Sequence, residues 1–413
     1  MSEQQIRKKF IIGLVGSVSN GKTTLVERLS GVNTKKHSSE KKEGRTVKLG
    51  YANLLLWKCK PCHRIYSTGQ KSTKQECDKC GNPCTVDFEL SLVDAPGHSA
   101  FIKTMIRGSS VMEAAIVVTD VKQIPHQHQT LEHLAILEIL GVRKVLVIQN
   151  KCDLVSKEEC NQHYDELKTQ FQSTIAEHAS VIPICAQRGF NIQVVVKELY
   201  KLCTELGSSS QGNVDDFSGF AIIRSFDINR PDTGVNDLKG GVLGGCLFGQ
   251  TPFYLEDLIE IRPGIIRTDG SFTPLRTRIK SIFSEQKSVN TCVFGGLFAL
   301  GTTLDPSATK SDRIVGCVAG YSHQLPPVVN SNEIKVTYIL LDIKDKPQKL
   351  DDETMYYFMW GNLVVRGKPV KVSKNQFKIT YEHPICIYTK KCLIYSKKTN
   401  QTTSLIGFGN LCL

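Results

Sequence analysis

The sequence predicts one α/β domain followed by two all-β barrel domains, and two changes in pattern along the chain support this. Up to about residue 206, short apolar runs alternate with amphipathic stretches, as strands and helices do in a doubly wound domain. From Phe220 onward, short β-branched runs are broken by glycine, proline and Asn or Asp, which is typical of small barrels. Linker-like stretches at 207–213 and 324–329 separate these parts. We therefore expect domains at 1–208, 209–325 and 326–413.

The elements of the first domain follow from the same patterns. Apolar runs predict buried parallel strands at 10–15, 88–93, 114–119, 144–149 and 181–184. Amphipathic stretches predict helical segments at 130–140 and 158–178. Motifs that follow several of these strands are therefore expected to meet at one edge of the sheet.

The composition is that of an ordinary folded protein with a moderate basic excess. Of 413 residues, 40% are apolar and 22% are charged, and the formal charge is +12. This excess fits either a solvated basic surface or an anionic partner such as RNA. No apolar run reaches the ~18 residues that span a bilayer, so we expect no membrane segment. Fifteen cysteines without a secretory signal favour reduced thiols or metal ligands, and hence a cytoplasmic location.

The stretch GSVSNGKT at 16–23 follows a predicted strand and precedes a plausible helix. A glycine, four residues and then Gly-Lys-Thr form the phosphate-binding loop pattern, in which backbone N–H groups surround phosphate oxygens. Lys22 would contact the β- and γ-phosphates, and the Thr23 hydroxyl would ligate Mg²⁺. The expected phosphate-binding residues are Gly16, Ser17, Val18, Ser19, Asn20, Gly21, Lys22, Thr23 and Thr24.

A second loop, DAPGH at 94–98, follows another predicted strand. Asp94 would hold Mg²⁺ through water, and Gly97 would let the backbone approach a γ-phosphate and bind it. His98 would orient the water that attacks this phosphate. We therefore expect His98, Lys22 and Asp94 to act in catalysis.

Thr46, in the stretch GRTVKLGYA, is the expected switch residue. Its hydroxyl would ligate Mg²⁺ and close over the γ-phosphate only in the GTP state. The alternative is a surface threonine at the start of a strand. The expected magnesium ligands are thus Thr23, Thr46 and Asp94.

Two further loops at strand ends predict that the bound base is guanine. In NKCD, at 150–153, the Asp153 carboxylate can accept both N1–H and the exocyclic amine N–H of guanine, whereas adenine presents the wrong edge. In CAQ, at 185–187, backbone N–H groups would lie near the guanine oxygen. The expected guanine-binding residues are Asn150, Lys151, Asp153, Cys185, Ala186 and Gln187. The four loops together predict a domain that binds GTP and GDP.

Two C-x-x-C pairs, CKPC at 59–62 and CDKC at 77–80, lie between the switch and the DAPGH loop. Four thiolates at this spacing are typical of a tetrahedral Zn²⁺ site, so we expect a zinc ribbon at about 57–85. The expected ligands are Cys59, Cys62, Cys77 and Cys80. Cys84 and His63 lie nearby and could replace a ligand, and the lysines around them fit either a solvated face or a contact with RNA or protein.

These residues resemble the gamma subunit of translation initiation factor two. The resemblance rests on the GTP motifs, on TVKLGYA and on a cysteine ribbon placed before DAPGH. It continues through the barrels in RSFDINRPDTGVNDLKGGVLGG (224–245), IRPGI (261–265) and GGLFALGTTLDPSATKSDRIVGCVAG (295–320). Elongation factor Tu and the selenocysteine-specific elongation factor share the three-domain plan, but they typically lack this cysteine insertion and the KLGYA continuation.

The resemblance implies a GTPase, slow without an activator, that delivers initiator methionyl-tRNA to the small ribosomal subunit. It also implies alpha and beta subunits of the same factor as partners, together with guanine-nucleotide exchange and GTPase-activating factors. Tyr51, in KLGYA, would help to form the tRNA-binding surface, or would pack between the switch and the ribbon. Arg276, Arg278 and Lys280 alternate along one predicted strand and fit either RNA phosphates or a solvated face.

The sequence also departs from the family pattern. Ser17 and Asn20 stand where the family usually has histidine, and Ser19 stands where part of it has aspartate. Cys185 replaces the usual serine of the fifth motif, and Gly44-Arg45 precede Thr46 where the family often has Arg-Gly-Ile. None of these changes removes a phosphate, magnesium or guanine ligand, but they leave the hydrolysis rate open. Two alternatives are a nucleotide-indifferent tRNA scaffold and an elongation-type carrier of another aminoacyl-tRNA.

Overall fold

The computed structural model divides into two compact units, Met1–Gly212 and Asn213–Leu413, and each is described by itself. The structure describes the following residues: 8–34, 49–69, 76–97, 102–123, 128–142, 144–208, 217–234, 237–267, 271–284, 287–331, 334–341, 350–397 and 403–412. Within these ranges, no helix is both long and apolar enough to cross a bilayer.

The first unit is built on a seven-stranded sheet. Its strands in chain order are β1 (Lys8–Val15), β2 (Gly50–Cys59), β3 (Ile65–Gly69), β4 (Cys84–Asp94), β5 (Ala114–Asp120), β6 (Lys144–Asn150) and β7 (Val181–Pro183). Across the sheet they lie in the order β3-β2-β4-β1-β5-β6-β7. The last five of that order run parallel, whereas β2 is antiparallel to both of its neighbours. The predicted parallel sheet is present and is extended by β2 and β3. One cysteine pair lies at the turn between these two strands, and the other lies between β3 and β4.

The helices of this unit flank the sheet, which is almost fully buried at its centre; all seven residues of β5 are buried. Those described are α1 (Lys22–Ser30), α2 (Ile102–Ser109), α3 (His128–Leu140), α4 (Lys157–Gln170) and α5 (Ile192–Ser208). The helix predicted over 158–178 is too long, since α4 ends at Gln170. The chain leaves the helix at Phe171, and Ser173 takes a left-handed φ of 59° that an α-helix cannot continue.

The second unit begins with a closed six-stranded antiparallel barrel. Its strands lie in the order β11-β16-β8-β9-β15-β12, and pairing of β11 with β12 closes the barrel. Their interior side chains form one apolar core around Phe220, Ile261 and Leu300. The elements of this part are β8 (Gly219–Phe226), β9 (Val242–Phe248), β10 (Phe253–Tyr254), β11 (Leu258–Ile266), β12 (Phe272–Ser284), β13 (Lys287–Val289), β14 (Thr291–Cys292), β15 (Phe298–Thr302), α6 (Pro306–Thr309) and β16 (Val318–Gly320).

A second closed barrel of six strands follows, in the order β18-β21-β20-β19-β23-β24. Its core is aromatic, with Trp360, Phe358 and Phe377 packed inside. Buried Asn362 donates 2.7 Å to the Ile222 carbonyl of the first barrel, so the two barrels pack as one unit. The elements are β17 (Val328–Val329), β18 (Lys335–Leu340), β19 (Tyr356–Trp360), β20 (Leu363–Ser373), β21 (Gln376–Tyr381), β22 (Ile385–Cys386), β23 (Lys391–Lys397) and β24 (Thr403–Cys412).

The predicted fold class is thereby confirmed: an α/β domain with a cysteine ribbon inserted in it, followed by two β-barrels. The exact domain limits at 208/209 and 325/326 stay predictions. The parallel strands β1, β4, β6 and β7 all end at the same edge of the sheet, and each is followed there by one of the predicted motifs.

Candidate functional site

The phosphate loop, residues 16–24, links β1 to α1 and has the backbone shape of an anion cradle. Gly16 and Gly21 have φ angles of 139° and 91°, and Ser19 has a φ of 65°. The Lys22 ammonium folds back across the loop and donates to the carbonyls of Gly16 and Ser17, both at 2.8 Å. Burial lowers the pKa of Lys22 to about 8, against a smaller opposing effect of the Asp94 carboxylate. An anionic ligand at this position would restore the full charge.

Two buried side-chain atoms in the loop show that it fits a polar ligand. Ser17 Oγ and Asn20 Oδ1 are inaccessible to solvent and have no hydrogen-bond partner among the described residues. Gly97, in the loop after β4, packs directly against this cradle. A Cβ at Gly97 would lie 2.5 Å from Gly16 O and 2.6 Å from Lys22 Nζ. Only glycine therefore fits between the DAPGH loop and the expected phosphate position.

Of the side chains expected to hold Mg²⁺, Thr23 and Asp94 lie in contact, and Asp94 is fully buried. Its Oδ2 accepts 2.7 Å from Thr23 Oγ1 and 2.9 Å from Thr34 Oγ1. A carboxylate beside two hydroxyls is a donor set of hard oxygen ligands, as Mg²⁺ requires. Sequence reasoning missed Thr34, which belongs to no motif. Thr46 and His98 lie outside the described residues.

Asn150, at the end of β6, joins the phosphate loop to the loop after β7. Its Nδ2 donates 2.8 Å to the carbonyl of Asn20, and its Oδ1 accepts 3.0 Å from the N–H of Ala186. All three residues are almost completely buried. Lys151 has a φ of 66° and forms a 2.6 Å ion pair with Asp120 at the end of β5. These contacts fix the phosphate and base loops in one arrangement.

Asp153 presents a carboxylate at the edge of this site. The Cys185 thiol donates to it, and the exposed Arg188 guanidinium lies 3.3 Å away. These two groups, the thiol first, hold the pKa of the Asp153 carboxyl below its usual range, so it stays an acceptor for N–H donors. The thiol of Cys185 thus makes the contact for which the family's usual serine would offer a hydroxyl.

Arg28 is a second residue that sequence reasoning missed. From the last turn of α1 it donates 2.9 Å to the Ala186 carbonyl and also donates to the Gln187 carbonyl. Because these two carbonyls point to Arg28, the backbone of this loop is held in a fixed orientation. No local motif signals this role, since Arg28 and Ala186 are 158 positions apart.

The four predicted zinc ligands lie together. The Sγ atoms of Cys59, Cys62, Cys77 and Cys80 are all within 4.8 Å of one another. Each pair has the same turn: the Cys59 N–H bonds to Arg64 O, and the Cys77 N–H bonds to Asn82 O, both at 2.9 Å. Four thiols so placed fit tetrahedral Zn²⁺. Cys84 is buried just beyond the cluster, in β4, and neither it nor His63 is part of it.

Comparison with known proteins agrees with this geometry. The family model "Elongation factor Tu GTP binding domain" matches residues 7–205. Translation initiation factor 2 subunit gamma from Methanococcus maripaludis is 35% identical over 409 residues, which cover 96% of this chain and 97% of that protein. Eukaryotic translation initiation factor 2 subunit gamma from Schizosaccharomyces pombe is 34% identical, covering 97% of this chain and 93% of that protein.

Solved structures show the same fold at lower identity. A bacterial selenocysteine-specific elongation factor, EF-Sec, superposes with a TM-score of 0.73 at 20% identity. The match covers 98% of this chain but only 58% of that longer chain. A translational GTPase domain implies GTP or GDP and Mg²⁺ as ligands, and the four cysteines are compatible with zinc. With identities of about 35% over nearly its full length, the chain belongs to the gamma-subunit family of translation initiation factor two and is a translational GTPase.

Proposed function

We propose that this chain is a GTP-dependent carrier of initiator methionyl-tRNA to the small ribosomal subunit, and that GTP hydrolysis releases the tRNA. The observation that carries the proposal is the contact of the Gly97 loop with the phosphate loop at Lys22. A γ-phosphate bound there would touch both loops, so its presence or loss would be felt directly by the segment after β4. The relatives named as gamma subunits support the assignment to initiation.

In this proposal the chain's own groups hold and polarise the triphosphate. Lys22 leaves the carbonyls of Gly16 and Ser17 to contact the β- and γ-phosphates, and the loop N–H groups bind the remaining oxygens. Thr23, Thr46 and Asp94 would hold Mg²⁺, which would supply positive charge against the charge that develops on the phosphates. Thr34 keeps the Asp94 carboxylate oriented.

His98 is proposed to orient the attacking water beside the γ-phosphate. After hydrolysis, Thr46 and Gly97 lose their phosphate contact and the two switch segments relax. Turnover of GTP by a His98→Ala variant tests this role, with Lys22 and Asp94 intact. A rate equal to that of the unmodified protein would exclude His98 from catalysis.

The guanine is proposed to lie between Asp153 and the loop of Cys185, Ala186 and Gln187. Asp153 accepts from N1–H and from the exocyclic amine, and the loop N–H groups face the guanine oxygen. Asn150 accepts from the Ala186 N–H and Arg28 donates to the Ala186 carbonyl, and these two contacts hold the second loop in place. Adenine presents an acceptor at N1, so the same carboxylate would repel it.

Tyr51 is proposed to contribute to the tRNA surface. It lies on β2 opposite Val93, five positions after Thr46 in the sequence. The three basic residues of β12 are weaker candidates, because two of them already have carboxylate partners: Arg276 lies 3.3 Å from Glu260, and Lys280 lies 2.9 Å from Glu256. The proposed partners are the alpha and beta subunits, exchange and GTPase-activating factors, and the small ribosomal subunit. The proposed location is the cytoplasm.

The decisive experiment is binding of methionylated initiator tRNA in the presence of a non-hydrolysable GTP analogue or of GDP, with alpha subunit added if needed. Charged elongator tRNA and uncharged initiator tRNA are the controls. Tight binding of the charged initiator with the analogue alone is the expected result. Equal binding with GDP would instead indicate a nucleotide-indifferent scaffold, and preference for an elongator tRNA would indicate an elongation-type carrier.

A further inference from the structure

We propose that Cys152 and Cys160 form a reversible disulfide when a low-molecular-weight disulfide such as oxidised glutathione accumulates, and that this bond weakens guanine-nucleotide binding. The inference rests on the proposed role of Asp153 at the guanine. Neither cysteine belongs to the four-cysteine cluster, and neither side chain is among the groups proposed to contact the nucleotide.

The two thiols are already in contact. Cys160 Sγ lies 3.5 Å from Cys152 Sγ, and both residues are partly exposed, so a small oxidant can reach them. A disulfide needs a separation of about 2 Å, so the sulfurs have to approach by about 1.5 Å. That approach requires rotation of the two side chains and a shift of one of the segments that carry them.

The loop that moves is the one that carries the guanine contact. Cys160 sits in α4, whose start is fixed by a reciprocal cap between Ser156 and Glu159, so the helix end is rigid. Cys152 instead sits in a single 3-10 turn, 152–154, directly between Lys151 and Asp153. Lys151 is already in the sparsely populated left-handed region. Closure of the disulfide therefore displaces this turn rather than the helix.

The present position of the turn depends on contacts that closure disturbs. The Cys152 N–H bonds to Ile184 O at 3.1 Å, which aligns this turn with the loop that begins at Cys185. The Cys152 thiol bonds to Gln149 O at 3.2 Å. Because a hydrogen bond weakens steeply when its geometry is lost, a shift of about 1 Å at Asp153 is enough to lose its two bonds to the base.

The reaction balances as two thiol–disulfide exchanges. The Cys160 thiolate attacks one sulfur of oxidised glutathione, the S–S bond breaks, and one glutathione thiolate leaves. The Cys152 thiolate then attacks the Cys160 sulfur of the mixed disulfide and displaces the second glutathione. In total, the two cysteines lose two protons and two electrons. The two glutathione molecules that leave as thiols carry these protons and electrons. Burial raises the pKa of Cys152 to about 12, so closure should accelerate as the pH rises.

The test compares fluorescent GDP binding by the full chain before and after treatment with oxidised glutathione. Trypsin releases Cys152 and Cys160 on separate peptides, 152–157 and 158–168, so mass spectrometry detects their linkage directly. We expect linked peptides together with a Kd raised roughly tenfold or more, both reversed by dithiothreitol. Absence of the linkage, or a linked protein whose Kd is unchanged, would overturn the inference.

Three variants give the controls. Cys160→Ser and Cys160→Ala should bind GDP normally when reduced, and oxidised glutathione should no longer raise their Kd. If the Kd of either variant still rises, another thiol is responsible for the effect. Cys412→Ser, a partly exposed cysteine of the second unit, should respond as the unmodified protein does. Failure of the reduced, unmodified protein to bind GDP would refute the proposed nucleotide site itself, which is a separate result.

Discussion

Replacement of Asn150 by alanine should weaken nucleotide binding far more than it destabilises the fold. The side chain makes two buried bonds, to Asn20 O and from Ala186 N, at 2.8 and 3.0 Å. Leaving one buried backbone group unpaired costs about 1–3 kcal/mol, so two give about 2–6 kcal/mol. Without nucleotide the loops can separate and admit water, which recovers part of this cost. Binding must close them again, and we expect about 2–4 kcal/mol of lost affinity.

This energy corresponds to a Kd for GDP that is roughly 30-fold to 700-fold higher, which titration with fluorescent GDP can resolve. Gln149→Ala is the matched control. Gln149 is equally buried. Its side chain donates to Cys160 O at 2.8 Å, bonds to His163 Nδ1 at 3.0 Å and accepts from the Cys160 thiol at 3.5 Å, and none of these partners lies in the nucleotide loops. It should lower the melting temperature and leave the GDP affinity nearly unchanged. A folded Asn150→Ala protein within threefold of normal affinity would refute the bridging argument.

Three other changes test the base, the phosphate and the metal. Asp153→Asn should shift the preference from GDP to xanthosine diphosphate, because an amide pairs with N1–H and the 2-oxo group of xanthine. If competition titrations show that the variant still binds GDP more tightly than xanthosine diphosphate, Asp153 does not contact the base. Nucleotide affinity should be highest below pH 8 and should fall by up to tenfold per pH unit between pH 8 and 10.5. The reason is that Lys22 has a pKa of about 8 without nucleotide and must take up a proton when phosphate binds. Calorimetry in two buffers at pH 9 measures that proton, and zero uptake would contradict the assignment. A colorimetric assay of zinc per protein molecule should show that Cys62→Ser has lost its zinc and that His63→Ala has kept it. If both variants keep their zinc, another residue completes the site.

The fold and the position of the site could be predicted because both depend on local patterns. Buried parallel strands are continuous apolar runs, and the motifs at 16–23, 94–98 and 150–153 each follow such a run directly. The end of α4 was misjudged by eight residues, since apolar residues at Phe171 and beyond continue the helical spacing. Only the backbone of Ser173 shows that the chain has turned.

The residues that sequence analysis missed act across the fold. The Arg28 side chain, in the last turn of α1, reaches the Ala186 carbonyl in the loop that follows β7, 158 positions further along the chain. Thr34 reaches Asp94 only because the chain after α1 returns to the end of β4. Neither residue has a neighbour in the sequence that distinguishes it from a surface arginine or threonine. Their roles depend on contacts between residues that are far apart in the sequence, so local sequence patterns cannot predict them.

Strand β2 connects two chemistries at its opposite ends. Gly50 pairs with Asp94 at the nucleotide edge, and Cys59 pairs with Cys84 at the cysteine cluster, about 30 Å away for ten extended residues. A slip of one residue would turn every side chain of β2 to the other face. It would also bring a side chain to the position of Gly50, where a Cβ would lie 2.7 Å from the Thr34 Cβ. The pairing of Cys59 with Cys84 therefore belongs to the same register that places Gly50 opposite Asp94, so whatever holds the cysteine end of β2 also holds its nucleotide end.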